Sequence, residues 1–259
     1  MNGSQKINLE QWHQRYTDQA RWTRDLRGYL FKHLELSSGD KVLEVGSGTG
    51  AIIEQLMTEM DARFFGMDID FSVLKFSKEI LNQIDCTQAD GHTLPFKDQN
   101  FSISLCHYLL LWVKSPIKVL TEMVRVTKPG GCVMAMAEPD HQSRIDYPPP
   151  LDKLGELQTS ALQTQGADIA MGRQLRQFFY LCGLKNIEVG IIGAQWTKSQ
   201  KSDVDETEWM ILRSDLAGKQ NEKELNQYFH SDKTARSDGS RVLYIPTFYA
   251  IGFIPKNLQ

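Results

Sequence analysis

The segment Glu44-Val45-Gly46-Ser47-Gly48-Thr49-Gly50-Ala51 constrains this chain more than any other. It follows a short apolar run at 41–45 and precedes a stretch at 51–60 whose Ile52, Ile53, Leu56 and Met60 share one helical face. A strand, a glycine turn and a helix in that order read as the start of a βαβ unit. Glycines in such a turn let the backbone bend sharply and leave room for a ligand beside it. The helix behind them offers free N–H groups that favour negative charge. Gly46, Gly48 and Ala51 also satisfy the G-x-G-x-x-[GA] dinucleotide spacing, so the loop alone admits a nicotinamide cofactor or an adenosyl ligand.

The alternation continues as far as residue 138. A second apolar run lies at 63–67, and Ser72 is placed to cap a helix carrying Val73, Leu74, Phe76, Ile80 and Leu81. Strands are predicted around 86–89 and 101–107. Pro116 opens a helix that ends near Arg125, Lys128 and Pro129-Gly130-Gly131, and a fifth strand follows at 132–137. This rhythm predicts an α/β fold with a mostly parallel sheet and helices on both faces. Residues 1–36 read as a helical extension. Pro148-Pro149-Pro150 reads as a stiff connector to helices at 151–165 and 172–182, the latter stopped by Gly183. Strands at 187–192 and 248–254 are separated by a polar, helix-prone stretch.

Composition removes several alternatives. With 41% hydrophobic and 24% charged residues and a formal net charge of -3, the chain is neither disordered nor collagen-like nor a coiled coil. No apolar run reaches the roughly 18 to 20 residues of a membrane helix, and Met1 to Lys6 lacks the marks of a signal peptide, so a cytoplasmic protein is expected. Cys86, Cys106, Cys132 and Cys182 form no CxxC pair, and no HExxH motif exists; buried free thiols and no metal site are expected. Lys and Arg are scattered rather than striped, so no nucleic-acid partner is expected. Oligomeric state is not legible.

Residues beyond the loop choose the cofactor. Asp68, in Phe65-Gly66-Met67-Asp68-Ile69-Asp70, stands at the end of the second strand, where a carboxylate accepts ribose hydroxyls. Ala89-Asp90-Gly91-His92 follows the third strand, where an acid suits an adenine amino group. With Phe101 to Cys106 and the Arg125 to Gly131 turn, these elements resemble the class I S-adenosylmethionine-dependent methyltransferases, and within them the small-molecule branch related to ubiquinone and menaquinone methyltransferases. The resemblance covers roughly residues 40–140. It implies a Rossmann-like sheet of seven strands, the last antiparallel, with an N-terminal helical lid and helical insertions. The whole chain is expected to form one domain: an extension at 1–36, a cofactor core at 37–140 and a substrate side at 141–259.

The resemblance also implies roles. Glu44, Gly46, Ser47, Gly48 and Gly50 would hold the methionine and ribose portion of S-adenosylmethionine. Asp68 would hold the ribose diol, Ile69 would pack on adenine, and Asp90 and Gly91 would receive the adenine edge. Cys106 and His107 would face the cofactor. Ligands of open α/β sheets bind beyond the carboxyl ends of the strands, which selects Tyr108, Trp112, Asp140, Arg144 and Tyr147, with Tyr16 of the lid, for the acceptor. His107, Glu138 and His141 are candidates for a general base, should the acceptor need one. In place of the Asn/Asp-Pro-Pro-aromatic motif of amine-methylating enzymes acting on DNA bases or glutamine stands Cys106-His107-Tyr108-Leu109, so a small organic acceptor is expected. Two rival readings remain: an adenosyl-ligand binder or scaffold without turnover, and a nicotinamide reductase. The reductase lacks support, since none of the eight tyrosines is followed by Lys four residues on.

Overall fold

The computed structural model describes residues 7–32, 34, 36–81, 84–193 and 206–256. The elements run α1 (Leu9–Trp22), α2 (Arg24–Phe31), β1 (Lys41–Val45), α3 (Ala51–Glu59), β2 (Arg63–Asp68), α4 (Phe71–Ile80), β3 (Asp85–Gln88), β4 (Phe101–Cys106) and α5 (Pro116–Val126). They continue with β5 (Thr127–Pro139), β6 (Ile145–Tyr147), α6 (Leu151–Thr164), α7 (Met171–Leu181), β7 (Lys185–Ile192), α8 (Glu206–Asp215), α9 (Glu222–Ser237), β8 (Val242–Tyr244) and β9 (Thr247–Phe253).

Seven strands form one sheet in the order β3-β2-β1-β4-β5-β9-β7, with β9 antiparallel to both of its neighbours. β1 pairs in parallel with β2 on one side and with β4 on the other. Strand order therefore reverses at β1 and β4, and their carboxyl ends open a crevice. Strand alternation sorts the core into two layers. Leu43, Val45, Val133 and Ala135 face Val119, Leu120 and Met123 of α5 and Leu175 and Phe179 of α7. On the other face Val42, Ile103, Met134 and Met136 meet Ile52, Ile53 and Leu56 of α3 together with Leu30 and Phe31 of α2.

A third apolar cluster belongs to the insertions: Leu151, Leu154 and Ala161 of α6, Trp209 and Leu212 of α8, and Leu225 and Ala235 of α9. The chain leaves β5 and β7 for these helices at the carboxyl edge, so they stand over the crevice as a cap. Buried charges tie the cap to the small β6–β8 sheet. Asp146 accepts from Arg144 Nε at 2.6 Å and Arg241 Nη2 at 2.9 Å, while Asp232 accepts from Arg241 Nε at 2.7 Å, Arg236 Nε at 2.9 Å and Trp209 Nε1 at 2.9 Å.

The structure corrects several local expectations. The N-terminal extension is two helices broken at Thr23, and α1 starts where Asn8 and Gln11 cap one another reciprocally. Helix α4 is capped by Asp70, whose carboxylate accepts the Ser72 N–H, rather than by Ser72. Strand β5 begins at Thr127, before the glycine pair. A strand the sequence did not signal, 145–147, precedes the Pro148-Pro149-Pro150 connector and pairs with 242–244. No helix among the described residues is long and apolar enough to cross a membrane.

Candidate cofactor and acceptor site

The glycine loop is held from below by the sheet. The Gly46 and Ser47 N–H groups both donate to the Met67 carbonyl, at 2.7 and 2.9 Å. Gly46 takes φ +75°, and a Cβ there would approach the Leu109 side chain to 2.7 Å, so this turn needs glycine twice over. Asp68 Oδ2 accepts the Gly48 N–H at 2.9 Å, and Oδ1 accepts the Asp70 N–H at 3.0 Å. One carboxylate therefore braces the loop and stands at the end of β2. Gly50 supplies the N-cap of α3 at φ +84°.

Beneath the loop lies Glu44, 3% exposed, with Oε2 lacking any partner. Burial pushes its carboxyl well above the ordinary 4.5, and the nearby Arg27 charge only partly opposes this. The Ser47 hydroxyl is likewise unpartnered. Arg27 of α2 is fully buried and donates to Ala20 O at 2.6 Å, to Thr23 Oγ1 at 2.8 Å and to Gln55. Helix α1 lies over the loop. Its Tyr16 ring approaches the space above Gly48 and stacks on Trp12, and His13 Nδ1 is 2.9 Å from Thr49 Oγ1. Burial, then the Asp68 charge, raises the Tyr16 hydroxyl above its ordinary value.

On the β3 side, Asp90 Oδ1 accepts from the His92 N–H at 2.9 Å and lies 2.6 Å from His92 Nδ1. His92 Nε2 accepts the Ser115 N–H at 3.2 Å, which leaves the ring proton on Nδ1, directed at Asp90. Gly91 lies against Val45 and Val119. Ile69 is 67% exposed at the mouth, with Phe71 exposed beside it.

The β4 and β5 ends depart most from expectation. Cys106 is sealed in the core, and burial pushes its thiol well above the usual range; it does not stand at the rim. His107 turns under the α1–α2 break, its Nε2 3.2 Å from Thr23 Oγ1. Burial, with the Arg27 charge second, pushes its pKa down to about 3. A base that weak takes no proton near neutrality. A ring-proton NMR titration should show no inflection for His107 between pH 5 and 8; a midpoint near 6.5 would mean the ring is solvated.

Glu138 is fully buried, and its carboxylate accepts the N–H groups of Leu109 at 3.0 Å, Leu110 at 2.8 Å and Leu111 at 3.1 Å. Both oxygens are committed to the loop after β4, so its geometry is that of a backbone anchor rather than a free base. Burial nevertheless lifts its pKa to about 7 against those three amides. Asp140 is buried and paired with Arg173 through both oxygens. Arg144 is spent on Asp146 and on Gln158 Oε1 at 3.0 Å. Tyr147 and Trp112 are half exposed. Tyr108 holds a left-handed φ of +52°, uncommon for a bulky residue, with its N–H on the Ala137 carbonyl at 2.9 Å. His141 keeps a buried, unpartnered Nδ1, and burial takes its pKa to about 4.

The structure thus brings Glu44, Gly46, Ser47, Gly48, Asp68 and Tyr16 together, with Tyr108 at the neighbouring strand end. It turns Arg144 and Asp140 into ion pairs. Sequence reasoning missed Thr23, Arg27 and Thr49, and also Arg15, whose place on α1 one step before Tyr16 was the available signal.

Residues 43–135 match the methyltransferase domain family. The matched segment, with the sheet order around it, is similar to a class I methyltransferase domain. That segment spans β1 to β5 and holds the loop, Asp68, Asp90 and His107, while α1, α2 and the cap lie outside it. Over 109 residues the chain is 35% identical to a demethylmenaquinone methyltransferase of Paenarthrobacter aurescens, covering 42% of this chain and 43% of that protein. The match thus spans less than half the length of that relative. A phosphoethanolamine N-methyltransferase of Haemonchus contortus, solved with S-adenosylhomocysteine, superposes with a TM-score of 0.59 at 15% identity, covering 90% of this chain and 53% of that one. The [4+2]-cyclase SpnF superposes with a TM-score of 0.57 at 17% identity, covering 92% and 82%. These two show the fold.

The cradle of the methyltransferase domain fits S-adenosylmethionine on its own chemistry. The buried, unpartnered Glu44 oxygen is an acceptor waiting for a donor such as an ammonium group. Asp68 stands where a ribose diol would donate, and the exposed Ile69 lies where an adenine would be covered.

Proposed function

We propose that this chain is an S-adenosylmethionine-dependent methyltransferase that acts, in the cytoplasm, on a small organic molecule. The single observation that carries the reading is the Glu44–Gly46–Asp68 cradle, with its orphaned acid under a left-handed glycine turn, inside a matched methyltransferase domain. When bound, S-adenosylmethionine supplies an already activated methyl group. The residues then have to hold the two reactants in line, and orientation alone lowers such barriers by several kcal/mol.

Glu44 and Ser47 receive the amino-acid end, Asp68 the ribose, and Asp90 and Gly91 the adenine. The α1 lid, seated by Tyr16 and His13, excludes water from above the loop. Glu138 holds the post-β4 backbone that presents Tyr108 to the acceptor. The described parts divide the labour, with 37–140 serving the cofactor and 141–259 the acceptor.

One fold serves many reactions, and the likeness to a cyclase makes the point for this one. Calorimetry with S-adenosylmethionine and S-adenosylhomocysteine tests the cradle, with micromolar binding expected. Transfer from methyl-labelled S-adenosylmethionine to an acceptor panel tests turnover. Binding without transfer to any acceptor would support the binder reading, and absence of binding would end the enzyme and binder readings and leave the scaffold.

A further inference from the structure

Among the described residues, most arginines near the crevice are held by ion pairs or hydrogen bonds. Arg21 pairs with Asp18 at 3.0 Å, Arg24 with Glu59 at 3.2 Å, and Arg173 with Asp140. Arg27 donates through Nη1 and Nη2 to a carbonyl, a hydroxyl and an amide oxygen, although its Nε is buried without a partner. Arg15 has no carboxylate within ion-pair distance among the described residues, and its Nη1 is buried with no hydrogen-bond partner. Its guanidinium stacks on Trp22, 4.8 Å from the ring centroid, one helical repeat further along the same face of α1. That face adjoins the one on which Tyr16 covers Gly48, so Arg15 looks past the cofactor loop. Burial raises the Tyr108 hydroxyl above its ordinary value, and the Arg15 charge is among the effects that oppose this.

The surroundings leave this charge uncompensated. Glu138 is committed to three amides and Asp140 to Arg173, while His107 and His141 add no negative charge. Thr247 pairs in register with Pro139, and the Asp140 N–H donates to Pro246 O at 2.7 Å, beside the segment bearing His141, whose Nδ1 is buried without a partner. Leaving a guanidinium N–H buried and unsatisfied is costly. A ligand anion removes that cost, and the planar fork of arginine suits a carboxylate or phosphate.

Resting on the methyltransferase reading, we propose that Arg15, stacked on Trp22 with a buried, unpartnered Nη1, is the specificity residue of an anion subsite, so that the methyl acceptor carries a carboxylate or phosphate group. The subsite lies beside the cofactor cradle rather than in it.

The test titrates the protein saturated with S-adenosylhomocysteine, by calorimetry, with benzoate and phenyl phosphate and with the neutral partners benzamide and benzyl alcohol. At least tenfold tighter binding of one anion is expected, and which of the two wins assigns the carboxylate or the phosphate source. Arg15→Gln should erase the preference while leaving the affinity for S-adenosylhomocysteine within about twofold, and Arg15→Lys should restore part of it. Equal binding of acids and neutral partners, or binding of neither, overturns the proposal. So does an Arg15→Gln variant that loses S-adenosylhomocysteine, which would assign the guanidinium to the cofactor. A wild-type protein that fails to bind S-adenosylhomocysteine removes the functional reading first, and this subsite with it.

Discussion

Replacing Glu138 with alanine is expected to destabilise the protein by about 3–5 kcal/mol, because it strands the N–H groups of Leu110 and Leu111 in the core along with that of Leu109. Chemical denaturation reads this directly. The loss should also spread to function, since the freed segment follows Tyr108. Glu138→Gln keeps an acceptor and separates charge from shape. Burial lifts the folded-state pKa from the ordinary 4.5 to about 7, so between those values the folded chain keeps a proton that the unfolded chain releases. Stability contributed by this group is therefore complete below about pH 4.5 and declines as pH rises through about 7, by up to roughly 3 kcal/mol. His107 and His141, neutral when folded, slope the other way below pH 6.5. The wild type minus Glu138→Gln difference isolates the carboxyl. That difference should grow in favour of the glutamine between pH 5 and 8, and a flat difference would mean the amides keep the group ionised throughout.

Asp68→Ala is expected to weaken S-adenosylhomocysteine binding by about 1–3 kcal/mol, or roughly 5- to 150-fold, through the loss of the ribose contacts proposed for it. The structure adds a second cause. The same side chain accepts the Gly48 and Asp70 N–H groups, so the loop loses its brace as well as its ligand contact. Both amides reach solvent once freed, so the melting temperature should change little. Calorimetry beside a melting curve separates the two, and affinity equal to wild type would remove Asp68 from the site.

What could be read from the chain without coordinates follows from how each feature is encoded. Most of the sheet strands are legible because they carry apolar runs flanked by turn residues, β3 (Asp85–Gln88) being polar, and the loop because glycine in that spacing has few other uses. The β6–β8 pair is not: three-residue strands such as 145–147 are too short to show an alternation. Glu138 reads as a base because sequence shows an acid at a strand end, but not the three amides that close on it. His107 reads as reactive for the same reason, while its partner Thr23 is far away in the chain. Arg27 is the hardest case. A charged residue defaults to the surface, and nothing local reveals that Ala20, Thr23 and Gln55 will enclose it.

The third apolar cluster, bound by its own arginines and aspartates, makes the cap nearly self-sufficient. Its architecture can diverge without disturbing the sheet, so on the proposed methyltransferase reading new acceptors become accessible through changes confined to one half of the molecule. The matched family segment ends at residue 135, where that freedom begins.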